Sequence, residues 1–117
     1  MQYLSELEST IKDMVVQGRG ILAADESTGT IAKRFKSIGV ELTDENQRIW
    51  RSLLVTTEGL GEYISAIILF EATLKQKTDS GQAIQQAAWA QKIVPGIKVD
   101  KGTIALALSP GDLITQG

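Results

Sequence analysis

Two short runs hold the residues whose types and spacing suit chemistry. In Gly20-Ile-Leu-Ala-Ala-Asp25 an apolar stretch ends on a carboxylate, and Ser27-Thr-Gly-Thr30 follows with hydroxyls and amide donors ahead of a helical turn at 31–37. The second run, Ile93-Val-Pro-Gly-Ile-Lys98-Val-Asp100, ends on an ammonium and a carboxylate two residues apart. Side chains alternate across a strand, so Ile21, Ala23, Asp25 and Ser27 share one face of the first run, and Gly96, Lys98 and Asp100 share one face of the second. Both runs therefore carry polarity at their carboxyl ends. Hydroxyls and free N–H groups at a helix start can cradle a phosphate, and a nearby ammonium can neutralise it. Plainer readings stand beside this one: Asp25 as the N-cap of the following turn, Lys98 with Asp100 as a structural ion pair, and the Ser/Thr/Gly run as an ordinary turn. Cap and catalyst are compatible roles for one carboxylate.

Those two runs must be positioned by the elements around them. Leu4, Leu7, Ile11, Met14 and Val15 recur at helical spacing between Tyr3 and Gln17, with Ser5 and Glu8 arranged as a capping box and Gly18 as the stop. Thr43 fits an N-cap with Asp44 and Glu45 in the first turn, and Ile49, Trp50, Leu53 and Leu54 form the stripe expected to be buried. Tyr63–Phe70 is dense in apolar and β-branched residues without strict alternation, as in a strand covered on both faces. A helix is expected from Ser80-Gly81 through Gln91, with Ile84, Ala87 and Ala88 inward, followed by a third strand over Ile93–Asp100 with Pro95 near its entrance. Glu71 and Lys75 fit an exposed helical pair, and Trp50 and Trp89 fit core or crevice fillers. Beyond Thr103 the pattern fades into Ser-Pro-Gly-Asp loop chemistry.

Three buried strands separated by helical segments define an α/β fold of successive βα units with parallel strands. In such folds the carboxyl ends of the strands carry the site. This places the first and third strands side by side in one direction, with Asp25 and Lys98 at a common mouth. No repeat, low-complexity stretch or linker divides residues 1–117, so one unit is expected.

Composition narrows the chemistry. The 117 residues include no Cys and no His, which removes disulfides, thiolate nucleophiles, imidazole bases and nearly every zinc site. Lysines, carboxylates, hydroxyls and backbone groups remain. With 12 Lys+Arg against 14 Asp+Glu the net charge is −2, and the scattered basic residues offer no footprint for a nucleic acid. No apolar run reaches the roughly 18–20 residues of a membrane helix, and Met1–Thr10 lacks the basic-then-apolar order of a secretion signal. A cytoplasmic chain with no membrane or nucleic-acid partner is expected.

Gly18-Arg-Gly-Ile-Leu-Ala-Ala-Asp-Glu-Ser-Thr-Gly-Thr-Ile-Ala-Lys-Arg34, Ile68-Leu-Phe-Glu-Ala-Thr-Leu-Lys-Gln-Lys77 and Ile93-Val-Pro-Gly-Ile-Lys-Val-Asp-Lys-Gly102 together resemble class I fructose-bisphosphate aldolase. The resemblance runs from about Leu4 to Gly117. It implies a (β/α)8 barrel and reversible cleavage of fructose 1,6-bisphosphate into dihydroxyacetone phosphate and glyceraldehyde 3-phosphate through a lysine Schiff base, with no metal and no other cofactor. Carried over by the same resemblance, Asp25 matches the aspartate that orients the carbinolamine and substrate hydroxyls. Ser27, Thr30 and Lys98 match ligands of the C6 phosphate, with Arg34 a weaker candidate, and the partner implied is a phosphorylated sugar. Ala72 stands where a second glutamate is frequent.

The family's imine-forming lysine lies on a later strand than the three present here. A (β/α)8 barrel also needs at least about 200–250 residues. The chain is therefore expected to be the N-terminal portion of one barrel domain, supplying about its first three βα units and inactive alone. Its open strand edges and apolar helix-docking face are expected to drive oligomerisation or association with the remainder of the barrel. A non-catalytic sugar-phosphate-binding or assembly module is the alternative.

Overall fold

A computed structural model describes residues 3–117. Helix α1 spans Leu4–Met14, strand β1 Gly20–Ala24, helix α2 Thr28–Ser37 and helix α3 Asp44–Thr56. A one-turn helix α4 (Leu60–Tyr63) leads into β2 (Ile64–Leu69), a 3₁₀ helix follows at Glu71–Lys75, and helix α5 (Ile84–Ala90) precedes β3 (Val94–Ile97). Strands β4 (Thr103–Ala105) and β5 (Leu113–Thr115) form an antiparallel hairpin. That hairpin occupies the segment whose composition reads as loop, because Thr-Ile-Ala and Leu-Ile-Thr are too short to show a period of two over the surrounding turn residues.

The main sheet is parallel in the order β1-β2-β3, with Ala24 paired to Leu69 and Leu69 to Ile97. The first and third strands are therefore not side by side, since β2 lies between them. Both still run in one direction, which is what brings their carboxyl ends to one edge. Pro95 sits in β3, an outer strand of this sheet, where its missing N–H leaves no inner ladder bond unmade.

One face of the sheet is covered. Ala24, Ile67, Leu69 and Ile93 pack with Val55 of α3 and with Ile84, Ala87 and Ala88 of α5 in a single buried cluster. Ile84, Ala87 and Ala88 thus face inward as their spacing predicts, although the helix begins at Ile84 and Ser80-Gly81 belongs to the preceding turn. Gly61 is required by a close approach, because a Cβ there would lie 2.1 Å from the Gln91 carbonyl oxygen. The other face, bearing Ile21, Ala23, Ala66, Ile68 and Gly96, is only partly covered: Ala66 is buried and Ile68 half-buried at its middle strand, while Ala23 and Gly96 are exposed and Ile21 is 50% exposed.

Two helical stripes differ from the sequence reading. Thr43 does cap α3, its Oγ1 accepting from the Asn46 N–H at 3.0 Å. The buried residues of that helix are nevertheless Arg51, Ser52 and Val55, while Ile49 and Leu53 are exposed and Trp50 and Leu54 half-buried. The inward turn of Arg51 has a cause, a carboxylate awaiting it in the helix layer. Helix α1 has no buried residue, so its apolar seam of Leu4, Leu7 and Ile11 is exposed. Its N-cap is Tyr3 without a side-chain cap bond, and Ser5 lies inside the helix, so the Ser5–Glu8 capping box does not form. Trp89 is 60% exposed and fills no core.

Candidate active site

The register aligns three residues at the carboxyl edge of the sheet. Asp25 follows Ala24 directly, Phe70 follows Leu69, and Lys98 follows Ile97, its N–H donating to the Leu69 carbonyl at 2.9 Å. Alternation then turns Ala24 and Leu69 into the helix-covered core and Asp25 and Lys98 toward the open face. The Lys98 Nζ lies 3.9 Å from Asp25 Oδ2 and bonds Asp100 Oδ2. Their side chains are 28%, 26% and 37% exposed in the order Lys98, Asp25, Asp100. Asp100 is itself fixed by the Gly102 N–H at 3.2 Å, in a turn where Gly102 has a φ of +94°.

The hydrogen bond from Lys98 holds the Asp100 carboxyl below its ordinary range, helped by the Gly102 N–H and opposed by partial burial. The same bond raises the Lys98 ammonium above its ordinary value; burial opposes this, and the charges of Asp100 and Asp25 add to it. Lys98 is consequently a persistent cation, suited to an anion and unsuited to nucleophilic attack. Two carboxylates already surround it, Asp100 bonded and Asp25 at 3.9 Å.

Beside this group, Ser27 caps α2. Its Oγ accepts from the Thr30 N–H at 3.4 Å and lies 3.3 Å from Thr30 Oγ1. Asp25 is thereby free of the capping role that its position also allowed. Ser27 and Thr30 are exposed at a helix start, where unpaired N–H groups and the helix dipole favour an anion. Arg34, one turn further along α2, pairs with Glu26, so its guanidinium is already engaged. The structure therefore brings Asp25 and Lys98 together, sets Ser27 and Thr30 as a hydroxyl pair on the adjoining helix, and ties Arg34 to a different carboxylate.

Sequence reasoning passed over Glu26 and Arg51. Arg51, 5% exposed, donates through Nη1 to Glu26 Oε2 at 2.5 Å and through Nη2 to the Glu26 carbonyl at 3.0 Å. Burial alone would raise the Glu26 carboxyl, yet the bond from Arg51, reinforced by both guanidinium charges, brings it below its ordinary value. One signal could have found the pair. The alternation that points Asp25 to the open face points Glu26 into the helix layer, where a carboxylate requires a cation.

The parallel sheet, its helix layer and the acid–base group on the strand ends define an α/β protein of the kind that binds at the carboxyl edge of its strands. The family described as fructose-bisphosphate aldolase class-I matches residues 6–117, and the chain belongs to that family. It is 51% identical over 114 residues to a probable fructose-bisphosphate aldolase class 1 of Xanthomonas axonopodis pv. citri, covering 97% of this chain and 34% of that protein. It is 53% identical over 112 residues to fructose-bisphosphate aldolase 1 of Toxoplasma gondii, covering 96% and 31%. A chloroplastic fructose-bisphosphate aldolase 2 of Pisum sativum is 52% identical over 115 residues, covering 98% and 33%. Among solved structures, fructose-bisphosphate aldolase from Plasmodium falciparum, crystallised with TRAP and a small-molecule inhibitor, superposes with a TM-score of 0.88 at 48% identity, covering 97% of this chain and 33% of that one. The chain thus spans about a third of the length of the relatives it matches. Among the described residues no helix is long and apolar enough to cross a membrane.

Proposed function

We propose that this chain forms the sugar-phosphate corner of a metal-free aldolase, supplying about the first three βα units of a (β/α)8 barrel. The barrel cleaves fructose 1,6-bisphosphate reversibly into dihydroxyacetone phosphate and glyceraldehyde 3-phosphate through a lysine imine, in the cytoplasm. The observation that carries this reading is the meeting of Asp25 and Lys98, 3.9 Å apart on separate strand ends beside the start of α2. Asp25 accepts and returns protons at the substrate hydroxyls. Ser27, Thr30 and Lys98 hold the C6 phosphate, and Arg34 is the weaker candidate ligand because Glu26 already engages its guanidinium.

Lys98 is not the imine-forming lysine, because that amine must shed its proton to attack a carbonyl, and Asp100 and Asp25 hold this one protonated. Catalysis then needs a second lysine in a less acidic setting, and residues 1–117 alone do not cleave. Borohydride reduction with dihydroxyacetone phosphate tests the assignment. Mass spectrometry should find no adduct on residues 1–117, and a reduced adduct at Lys98 would reverse its role. In the whole protein, Lys98→Ala should weaken the doubly phosphorylated hexose relative to a singly phosphorylated one; an unchanged preference contradicts phosphate binding by Lys98.

The outer strands β1 and β3 each pair on one side only within this sheet, which favours a second reading for residues 1–117 in isolation. They act there as an assembly unit, self-associating or pairing with the rest of the barrel. Sedimentation that shows a cooperative, well-folded monomer would rule this out.

A further inference from the structure

We infer that Arg51 is a positioning residue that sets the Asp25–Thr30 segment from behind, through Glu26, and so holds the carboxylate and the hydroxyls of the proposed site in mutual register. The inference rests on the reading of Asp25, Ser27 and Thr30 given above.

Glu26 is the residue between Asp25 and Ser27, and it is gripped at three points. Arg51 takes one carboxylate oxygen at 2.5 Å and the main-chain carbonyl at 3.0 Å, and Arg34 takes the other carboxylate oxygen. A side-chain bond alone would fix only a rotamer. The bond to the carbonyl fixes the peptide that leads into Ser27, hence the direction in which the chain enters α2. The two arginines come from different helices, so the turn after β1 is tied to α2 and α3 together. Arg51 is 5% exposed and the Glu26 side chain 11%, so little water competes for these bonds. Two guanidinium groups against one carboxylate also leave one positive charge close behind the helix start, which favours an anion at Ser27 and Thr30.

A planar guanidinium can grip a carboxylate and a carbonyl at once, and an ammonium cannot reproduce that fork. Arg51→Lys therefore keeps the charge and the fold while removing the grip, and Arg51→Ala opens a hole that free guanidinium can refill. Hydrogen exchange on the whole protein reads the segment directly. Arg51→Lys should speed exchange at Asp25–Thr30 about tenfold, leave the α5 amides unchanged, and weaken binding of fructose 1,6-bisphosphate about tenfold. Guanidinium chloride at millimolar concentration should restore binding to Arg51→Ala, whereas methylammonium should not. Unchanged exchange at Asp25–Thr30 in Arg51→Lys, or acceleration spread evenly over the chain, overturns the inference. If the unsubstituted protein binds no sugar phosphate, the site reading fails, and the exchange pattern still decides whether Arg51 sets the turn.

Discussion

The two faces of the parallel sheet are built from alternate residues of the same three strands, yet they do opposite work. On the helix side, Ala24 of β1 and Ile67 and Leu69 of β2 are at most 1% exposed and, joined by Ile93 just ahead of β3, pack in one cluster with Val55, Ile84 and Ala88. Ile97 at the outer strand is 39% exposed. On the other side Ile21 is half exposed, and the strand ends carry Asp25, Lys98 and Asp100, partly in water. Alternation couples these faces in space while leaving their energetics separate. A substitution on one side should move stability with little effect on chemistry, and one on the other should do the reverse.

The sharpest break in that comparison is Asp25→Asn. It keeps the size of the side chain and removes the charge that faces Lys98. In the whole protein, turnover should fall by about 10²–10⁴ as a proton-transferring group is lost, while the melting transition stays within a few degrees. Turnover close to normal would remove Asp25 from the mechanism. The opposite substitution is Ile67→Ala, which empties a site 1% exposed beneath α3 and α5 and should cost about 2–5 kcal/mol in denaturant unfolding. Ile21→Ala, on the open face of the neighbouring strand, should cost less than about 1 kcal/mol in residues 1–117 alone, and about 2–5 kcal/mol in the whole protein, where a closed barrel packs that face. A small loss at Ile21 in the whole protein would mean that this face stays open and that the strands do not close a filled barrel.

This division also marks what the sequence could show. Alternation within Gly20–Asp25 and Ile93–Asp100 placed Asp25 and Lys98 at one edge, because period-two geometry depends only on the chain itself. The inward set Ile84, Ala87 and Ala88 was legible for the same reason, at period 3.6. Strand order was not legible, since neighbouring strands are selected by the sheet as a whole; β2 came to lie between the strands that carry the site. The face of α3 was misjudged because apolar spacing selects Ile49 and Leu53, whereas the helix turns Arg51 inward to meet Glu26. A buried ion pair between positions 25 residues apart leaves no periodic trace. The exposed seam of α1 shows the limit of the same rule, for a stripe predicts an amphipathic helix and says nothing of what covers it.

Glu26 and Asp100 sharpen the contrast by titration. Both carboxyls are held below their ordinary values, but Glu26 is enclosed in the helix layer and Asp100 stands at the open edge. A lowered carboxylate pKa contributes stability that is present above the unfolded-state value, 4.5 for Glu26, and is lost as the pH falls through the lower folded-state value. Acid should therefore weaken the protein below about pH 4.5, partly through protonation of Glu26 against two arginines. Glu26→Gln should be less stable than the unsubstituted protein at pH 7 and show a shallower decline below pH 4.5, because its amide has no proton to gain. Asp100→Asn should alter the acid decline far less, since water screens the Lys98–Asp100 pair at the sheet edge. Urea melts across pH 3–7 distinguish the two variants; a larger change in the acid limb for Asp100→Asn than for Glu26→Gln would mean that the open edge, and not the helix layer, governs acid stability.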